Sequence, residues 1–103
     1  MPYIKQSLRD QLDPEINRLA GKIRENSEID DSLVCGLLNY AISQLIIRLI
    51  KIRFDRVRYW IINMVSGTLS NVQSEFYDKV ARSYEDEKID ENGDLDWKSI
   101  TKG

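Results

Sequence analysis

The sequence contains no histidine and a single cysteine among its 103 residues. Without histidine, neither a Ser-His-Asp nor a Cys-His catalytic arrangement can form, and no zinc site can include an imidazole. The one thiol, Cys35, forms no disulfide within the chain and no cysteine-rich metal cluster, which is typical of a reducing compartment. We therefore expect a protein that is not an enzyme, with no catalytic residues, no metal ligands and no cofactor.

Glycine and proline are also scarce, with five and two residues, and apolar residues recur at helical spacing through most of the chain. This combination predicts an all-α fold. We expect a small bundle of three main helices after a short N-terminal helical turn with Ile4, Leu8 and Leu12 on one face. Asp13-Pro14 is typical of the start of a helix. Asp can accept hydrogen bonds from the free N–H groups of the first turn, and Pro has no N–H that would need a partner there.

The three main helices are predicted over residues 13–26, from Asp30 or Asp31 to about residue 51, and over residues 57–83. Beyond residue 84 the chain becomes acidic and polar, and Asn92-Gly93 is typical of a turn. We therefore expect a helical domain, residues 1–84, followed by an acidic, partly ordered C-terminal tail, residues 85–103.

The second predicted helix carries more apolar surface than one neighbouring helix can cover. A regular stripe predicts its core face, consisting of Val34, Leu38, Ala41, Ile42, Leu45, Leu49 and Ile52. Ile46, Ile47 and Ile50 lie outside this stripe, so the far end of the helix is apolar nearly all round. We expect these three isoleucines to contact another subunit, which predicts a homo-oligomer.

The most apolar region, residues 33–52, is interrupted by Asn39, Gln44, Arg48 and Lys51, which is unfavourable for a membrane span. The N-terminal residues also lack the apolar stretch of a signal peptide. These features predict a cytoplasmic protein with no membrane partner.

Charge is unevenly distributed although its sum is only −2. Residues 32–74 carry five basic groups and one acidic group, for a net +4, whereas residues 75–103 carry five and nine, for a net −4. The basic groups surround the predicted corner between the second and third helices and are interleaved with aromatic residues. We define this basic corner as Arg48, Lys51, Arg53, Arg56, Arg58, Tyr59 and Trp60.

The basic corner supports more than one interpretation. Guanidinium groups clamp phosphates, and Tyr and Trp provide stacking surfaces, which favours a phosphate-bearing small molecule or a short nucleic acid. The cations could instead pair with the acidic tail of the same or a neighbouring chain, or with an acidic protein. Long duplex DNA is disfavoured because the basic patch is short and the protein is acidic overall.

The acidic segment 85–96 fails as a calcium loop. With Gly93 at loop position six, Lys88 occupies position one, where a carboxylate is required. A weak magnesium site on carboxylates such as Asp90 and Asp94 is an alternative that predicts a metal-dependent phosphate-processing enzyme. A solvated acidic tail is the favoured interpretation.

Three segments resemble an uncharacterised family of small proteins encoded by bacteriophages and prophage-bearing bacteria. They are Met1-Pro2-Tyr3-Ile4-Lys5-Gln6, Leu38-Asn39-Tyr40-Ala41-Ile42-Ser43, and the stretch from Glu75-Phe76-Tyr77 through Tyr84-Glu85-Asp86 to Asn92-Gly93-Asp94. The sequence departs from the family pattern at Asp78-Lys79, where relatives have two arginines, and at Ser83, where they have proline. The segment 95–103 lies outside the resemblance.

The resemblance carries no known activity, but it implies a phage accessory protein in the host bacterial cytoplasm. The leading hypothesis is a non-enzymatic homo-oligomer that acts in anti-defence or host modulation. It would use the basic corner to sequester a phosphate-bearing nucleotide signal or to occupy a host protein. The alternative is a structural or adaptor oligomer in which the corner meets acidic tails.

Overall fold

The computed structural model describes residues 3–101, and every regular element in that range is helical. Met1 and Pro2 of the opening segment, and the last two residues of the predicted tail, lie outside the described residues. The elements are α1 (Gln6–Glu25), α2 (Leu33–Phe54), α3 (Tyr59–Phe76), a π-helical turn (Tyr77–Ala81), α4 (Arg82–Asn92) and α5 (Lys98–Thr101). The predicted all-α class and its three main helices are confirmed.

The chain divides into two compact units, Met1–Ser66 and Gly67–Gly103. The first contains α1, α2 and the beginning of α3; the second contains the rest of α3, the π-helical turn, α4 and α5. The predicted division at residue 84 stays a prediction.

The N-terminal region forms one helix of 20 residues, α1, in place of the predicted short helical turn and the first main helix, residues 13–26. Pro14 lies inside α1, although an interior proline removes one backbone hydrogen bond at a cost of about 3 kcal/mol. The apolar residues explain the continuity, because Leu8, Leu12, Ile16 and Leu19 keep helical spacing across the proline. The predicted helix start at Asp13 is therefore wrong.

A tight connection joins α1 to α2. Ser27 is buried, and its hydroxyl donates to the carbonyl oxygens of Ile23, at 2.7 Å, and Arg24, at 3.2 Å. The carboxylate of Asp30 accepts a hydrogen bond from the backbone N–H of Ser32 at 3.0 Å. This bond lowers the pKa of Asp30. Asp30 thus orders the turn before α2, which begins at Leu33 instead of at either predicted aspartate.

The helical segment that starts with α3 continues further than predicted. It passes through the π-helical turn and α4 and ends at Asn92, so residues 85–92 of the predicted tail are helical. Gly93 ends α4 with a φ of 86°, which favours glycine, and its N–H donates to the Ile89 carbonyl at 2.7 Å. Helix α4 thus ends at the predicted Asn92-Gly93 position, where the turn itself stays a prediction, and a separate acidic tail from residue 85 is not shown.

The interior is small. Within the part of the first unit that the structure describes, Ile61 is the one buried apolar side chain. The second unit has none between residues 67 and 101. Most of the apolar residues on α1 and α2 are therefore exposed to solvent.

The predicted core stripe of α2 is an exposed surface. We define the α2 seam as the five stripe residues that alternate at spacings of four and three: Leu38, Ile42, Leu45, Leu49 and Ile52. Their exposed fractions range from 40% at Ile42 to 84% at Ile52. The stripe correctly marks an apolar face, but its periodicity carries no information about whether that face is covered within the same chain.

Candidate functional site

The basic corner is built on a strained turn between α2 and α3. Asp55, just after α2, has φ 72° and ψ −49°. The N–H of Arg56 donates to the Phe54 carbonyl at 2.8 Å, which closes a three-residue γ-turn around Asp55. Such a conformation is costly for a residue with a Cβ, by about 1–3 kcal/mol. The sequence predicts a corner here, but without a glycine it gives no signal for the positive φ of Asp55.

Aromatic contacts hold the two helix ends at the turn. The rings of Phe54 and Trp60 meet edge to face with centroids 5.3 Å apart. The guanidinium of Arg53 lies over the Phe54 ring, 5.2 Å from its centroid. These contacts combine an aromatic pair with a cation–π interaction, so they fix the end of α2 against the start of α3.

The structure places the members of the basic corner at different points around this turn. Lys51 and Arg53 lie in the last turn of α2, where positive charge complements the helix dipole. Arg56 and Arg58 lie in the connection, and Tyr59 and Trp60 begin α3, with exposed fractions of 78% and 53%. All seven side chains of the corner are exposed.

The corner cations have no acidic partner in their own unit. Among residues 3–66 the one ion pair joins Lys22 to Glu25 at 3.4 Å, on α1. Unpaired, exposed arginines remain able to bind phosphate or carboxylate groups. The predicted ligand-binding residues are thus exposed, and their assignment to one binding surface stays a prediction.

The three predicted interface isoleucines differ in exposure. Ile47 is 50% exposed, whereas Ile46 and Ile50 are partly covered. Ile47 and Leu49 are two residues apart on a helix, which places them on opposite sides of α2. The assignment of these isoleucines to an interface stays a prediction.

A groove between α1 and α2 is a feature that the sequence did not reveal. It encloses about 470 Å³ and is open to solvent. Its floor is mostly aliphatic, and its polar groups come from both helices. The lining residues are Leu19, Lys22, Ile23, Asn26, Leu37, Tyr40, Ala41, Gln44, Leu45 and Arg48.

Arg48 is the one member of the basic corner that lines this groove. Its Nε donates to Oε1 of Gln44 at 3.4 Å, one turn back along α2. Tyr40 lies a further turn back, so Tyr40, Gln44 and Arg48 form a polar stripe at a spacing of four residues on a mostly apolar helix. That stripe is the sequence signal that could have identified the groove.

A comparison with family models matches residues 1–95 to a domain of unknown function, DUF6899. The chain belongs to DUF6899. No curated protein and no solved structure matches this DUF6899 chain. The match confirms that the chain belongs to an uncharacterised family. It ends at Leu95, close to the point where the sequence resemblance was expected to end.

The third resemblance segment of this DUF6899 protein contains the π-helical turn. The Arg82 guanidinium forms an ion pair with Asp78 at 3.2 Å and lies 5.7 Å from the centroid of the Tyr77 ring. A hydrogen bond to the Glu85 carboxylate, together with the charge of that group, raises the pKa of Tyr77. Tyr77 is the first residue of the π-helical turn and Glu85 lies on α4, so their hydrogen bond spans this turn.

Two further properties of the DUF6899 chain bear on the predicted partners. Residues 3–101 contain no group of three or more His, Cys, Asp or Glu side chains placed to hold a metal ion.

Within the same range α2 is long and apolar enough to cross a membrane, with a mean hydropathy of 1.8. The predicted absence of a membrane partner stays a prediction.

Proposed function

We propose that this DUF6899 protein is a non-enzymatic homo-oligomer that binds a partner through its basic corner. The observation that carries the proposal is the position of the corner cations, which are exposed and pair with no carboxylate among residues 3–66, at the end of an exposed apolar helix face. Charged side chains without acidic partners favour an anionic ligand, and an uncovered apolar face favours a second subunit.

Self-association through the α2 seam is supported by its spacing. Apolar residues that alternate every four and three residues are typical of helices that pair along a seam. A second copy of the chain presents an identical seam, so two copies can cover each other symmetrically. Covering the exposed half of each side chain contributes about 1 kcal/mol, and both copies contribute.

Recognition of an anionic partner is supported by the composition of the corner. Arg53, Arg56 and Arg58 provide forked donors suited to phosphate oxygens, while Tyr59 and Trp60 provide exposed rings for stacking. A phosphate-bearing nucleotide signal fits both properties, and an acidic surface of a host protein fits the first. With the likeness to phage-encoded proteins, we propose sequestration of such a partner in the host bacterial cytoplasm, as anti-defence or host modulation.

A structural or adaptor oligomer is the second candidate. The net +4 of residues 32–74 and the net −4 of residues 75–103 favour contact between the corner of one copy and the acidic residues of another. In that case the assembly dissociates at high salt, because exposed ion pairs are screened. An assembly held by the α2 seam depends on apolar contacts, so it should persist at high salt.

Calorimetric titration with cyclic dinucleotides, at about 100 µM protein, tests whether the basic corner recognises a nucleotide. We expect binding that weakens about tenfold or more when Arg53, Arg56 and Arg58 are together replaced by glutamine. The matched control replaces Lys5, Arg18 and Arg24, which changes the net charge of the same unit equally. Equal weakening by both variants would attribute binding to net charge, and absence of heat would contradict the nucleotide version.

A further inference from the structure

The groove between α1 and α2 has the composition of a small-molecule site. Such sites enclose about 300–1,000 Å³ and combine an apolar lining with a few polar groups that fix orientation. The groove encloses about 470 Å³, and its polar groups include Lys22 on α1, Asn26 just after α1, and Tyr40, Gln44 and Arg48 on α2.

Positive charge comes from both walls of the groove. Arg48 on α2 has no carboxylate partner among residues 3–66, and its hydrogen bond to Gln44 leaves guanidinium donors unused. Lys22 on α1 pairs with Glu25 at 3.4 Å, where both side chains are about two-thirds exposed. An exposed pair of this kind is weak and exchanges easily for a ligand. Two cations on facing walls favour an anionic group between them.

The remaining groups indicate what accompanies that anionic group. Tyr40 is 63% exposed, so its ring is available for stacking. The carboxamide of Gln44 uses its oxygen for Arg48, and its nitrogen is without a partner between residues 3 and 101. A flat ring with hydrogen-bonding edges suits this set better than an aliphatic chain does.

The geometry points to this groove as the binding site for the base and first phosphate of a nucleotide. Tyr40 stacks on the base, Gln44 contacts its edge, and Lys22 and Arg48 hold the phosphate. Arg48 also belongs to the basic corner, so further phosphates would extend from the groove toward Lys51. The inference rests on the proposed function for the ligand class, and it moves the centre of recognition from the corner to the groove.

Titration calorimetry with AMP, adenosine and inorganic phosphate tests the groove directly. AMP supplies both ring and phosphate, so we expect it to bind about tenfold or more tightly than either part. Lys22→Gln, Arg48→Gln and Tyr40→Leu should each weaken AMP binding about tenfold, whereas Tyr40→Phe retains the ring and should retain binding. Arg18→Gln, on α1 outside the groove, should change the affinity less than twofold.

The variants separate this inference from the proposed function. Loss of binding in the groove variants supports the groove, whether or not the corner variant also loses binding. Loss in the Arg53, Arg56 and Arg58 variant alone overturns the groove and leaves the corner as the site. Absence of AMP binding by the unmodified protein overturns the groove. A change of oligomeric mass in Tyr40→Leu also overturns it, because a second copy then occupies the groove.

Discussion

The ring of Phe54, the last residue of α2, meets the indole of Trp60 edge to face, with centroids 5.3 Å apart. Between them lies Asp55, whose positive φ of 72° is rare for a residue with a side chain. An aromatic pair of this kind contributes about 0.5–1.5 kcal/mol beyond its area, which offsets part of the strain. The contact therefore stabilises a turn that presents the arginines of the basic corner.

Replacement of Asp55 by glycine should stabilise the protein. Glycine adopts a positive φ without the steric cost of a Cβ, so we expect a gain of about 1 kcal/mol in the free energy of unfolding. For a domain of this size that raises the Tm by about 4–8 °C. Asp55→Ala is the control, because it removes the charge and keeps the Cβ. A similar gain in both variants would attribute the effect to charge instead of backbone strain.

The phenol of Tyr77 should titrate above the ordinary range of tyrosine. Its pKa is raised first by the hydrogen bond to Glu85 and then by the charge of that carboxylate. Because the raised pKa favours the protonated phenol in the folded state, the stabilisation is present below the ordinary tyrosine pKa and is lost as the pH rises through the folded value. Absorbance at 295 nm follows the titration.

Two α4 variants isolate the cause of that shift. Glu85→Ala should lower the pH at which the most weakly acidic tyrosine ionises, while Glu87→Ala, a neighbouring carboxylate, should leave it nearly unchanged. Identical titration curves for Glu85→Ala and the unmodified protein would show that the bridge across the π-helical turn does not form in solution.

The sequence was sufficient for the helical class and the three main helices, because helical spacing is a local signal. It did not predict α4, since residues 82–92 lack an apolar stripe. It misplaced the start of α1 because the local signal of Asp13-Pro14 is strong, yet the apolar face continues across it. It could not distinguish a covered face from an exposed one on α2, since both have the same periodicity. The γ-turn at Asp55 has no glycine to mark it, so no local pattern indicates its positive φ.

The assignment of the basic corner as a binding site stays a prediction. Enrichment in arginine and aromatic residues identified the corner, and the structure leaves its cations exposed. The groove residues Lys22, Asn26, Tyr40 and Gln44 were missed because they come from two helices, and their proximity depends on how α1 contacts α2. Of these, Tyr40 and Gln44 could have been identified from the sequence, because they share a polar stripe on α2 with Arg48.

Charge placed on the α2 seam should disrupt self-association. Leu49 is 55% exposed and Ile47 is 50% exposed, but they lie on opposite sides of α2. We expect Leu49→Asp to weaken association about tenfold or more, because it buries an unpaired carboxylate between subunits. Ile47→Asp should have little effect. Sedimentation equilibrium measures both, and dissociation by Ile47→Asp alone would place the interface on the originally predicted isoleucines.

The apolar character of α2 should serve subunit contact instead of lipid contact. Flotation with vesicles of mixed neutral and anionic lipids separates the two, because a protein associated through its seam has covered its most apolar side chains. We expect the protein to stay in the dense fraction at physiological salt. Flotation with neutral vesicles would instead assign α2 to the bilayer.

Self-association through the α2 seam is the central claim, and the molar mass in solution tests it most directly. The chain has a mass of 12.0 kDa. Light scattering during size-exclusion chromatography, at low and at high salt, should give an integral multiple of this mass, at least two, under both conditions. A mass of one chain at both salt concentrations, at protein concentrations of about 100 µM, would contradict the claim.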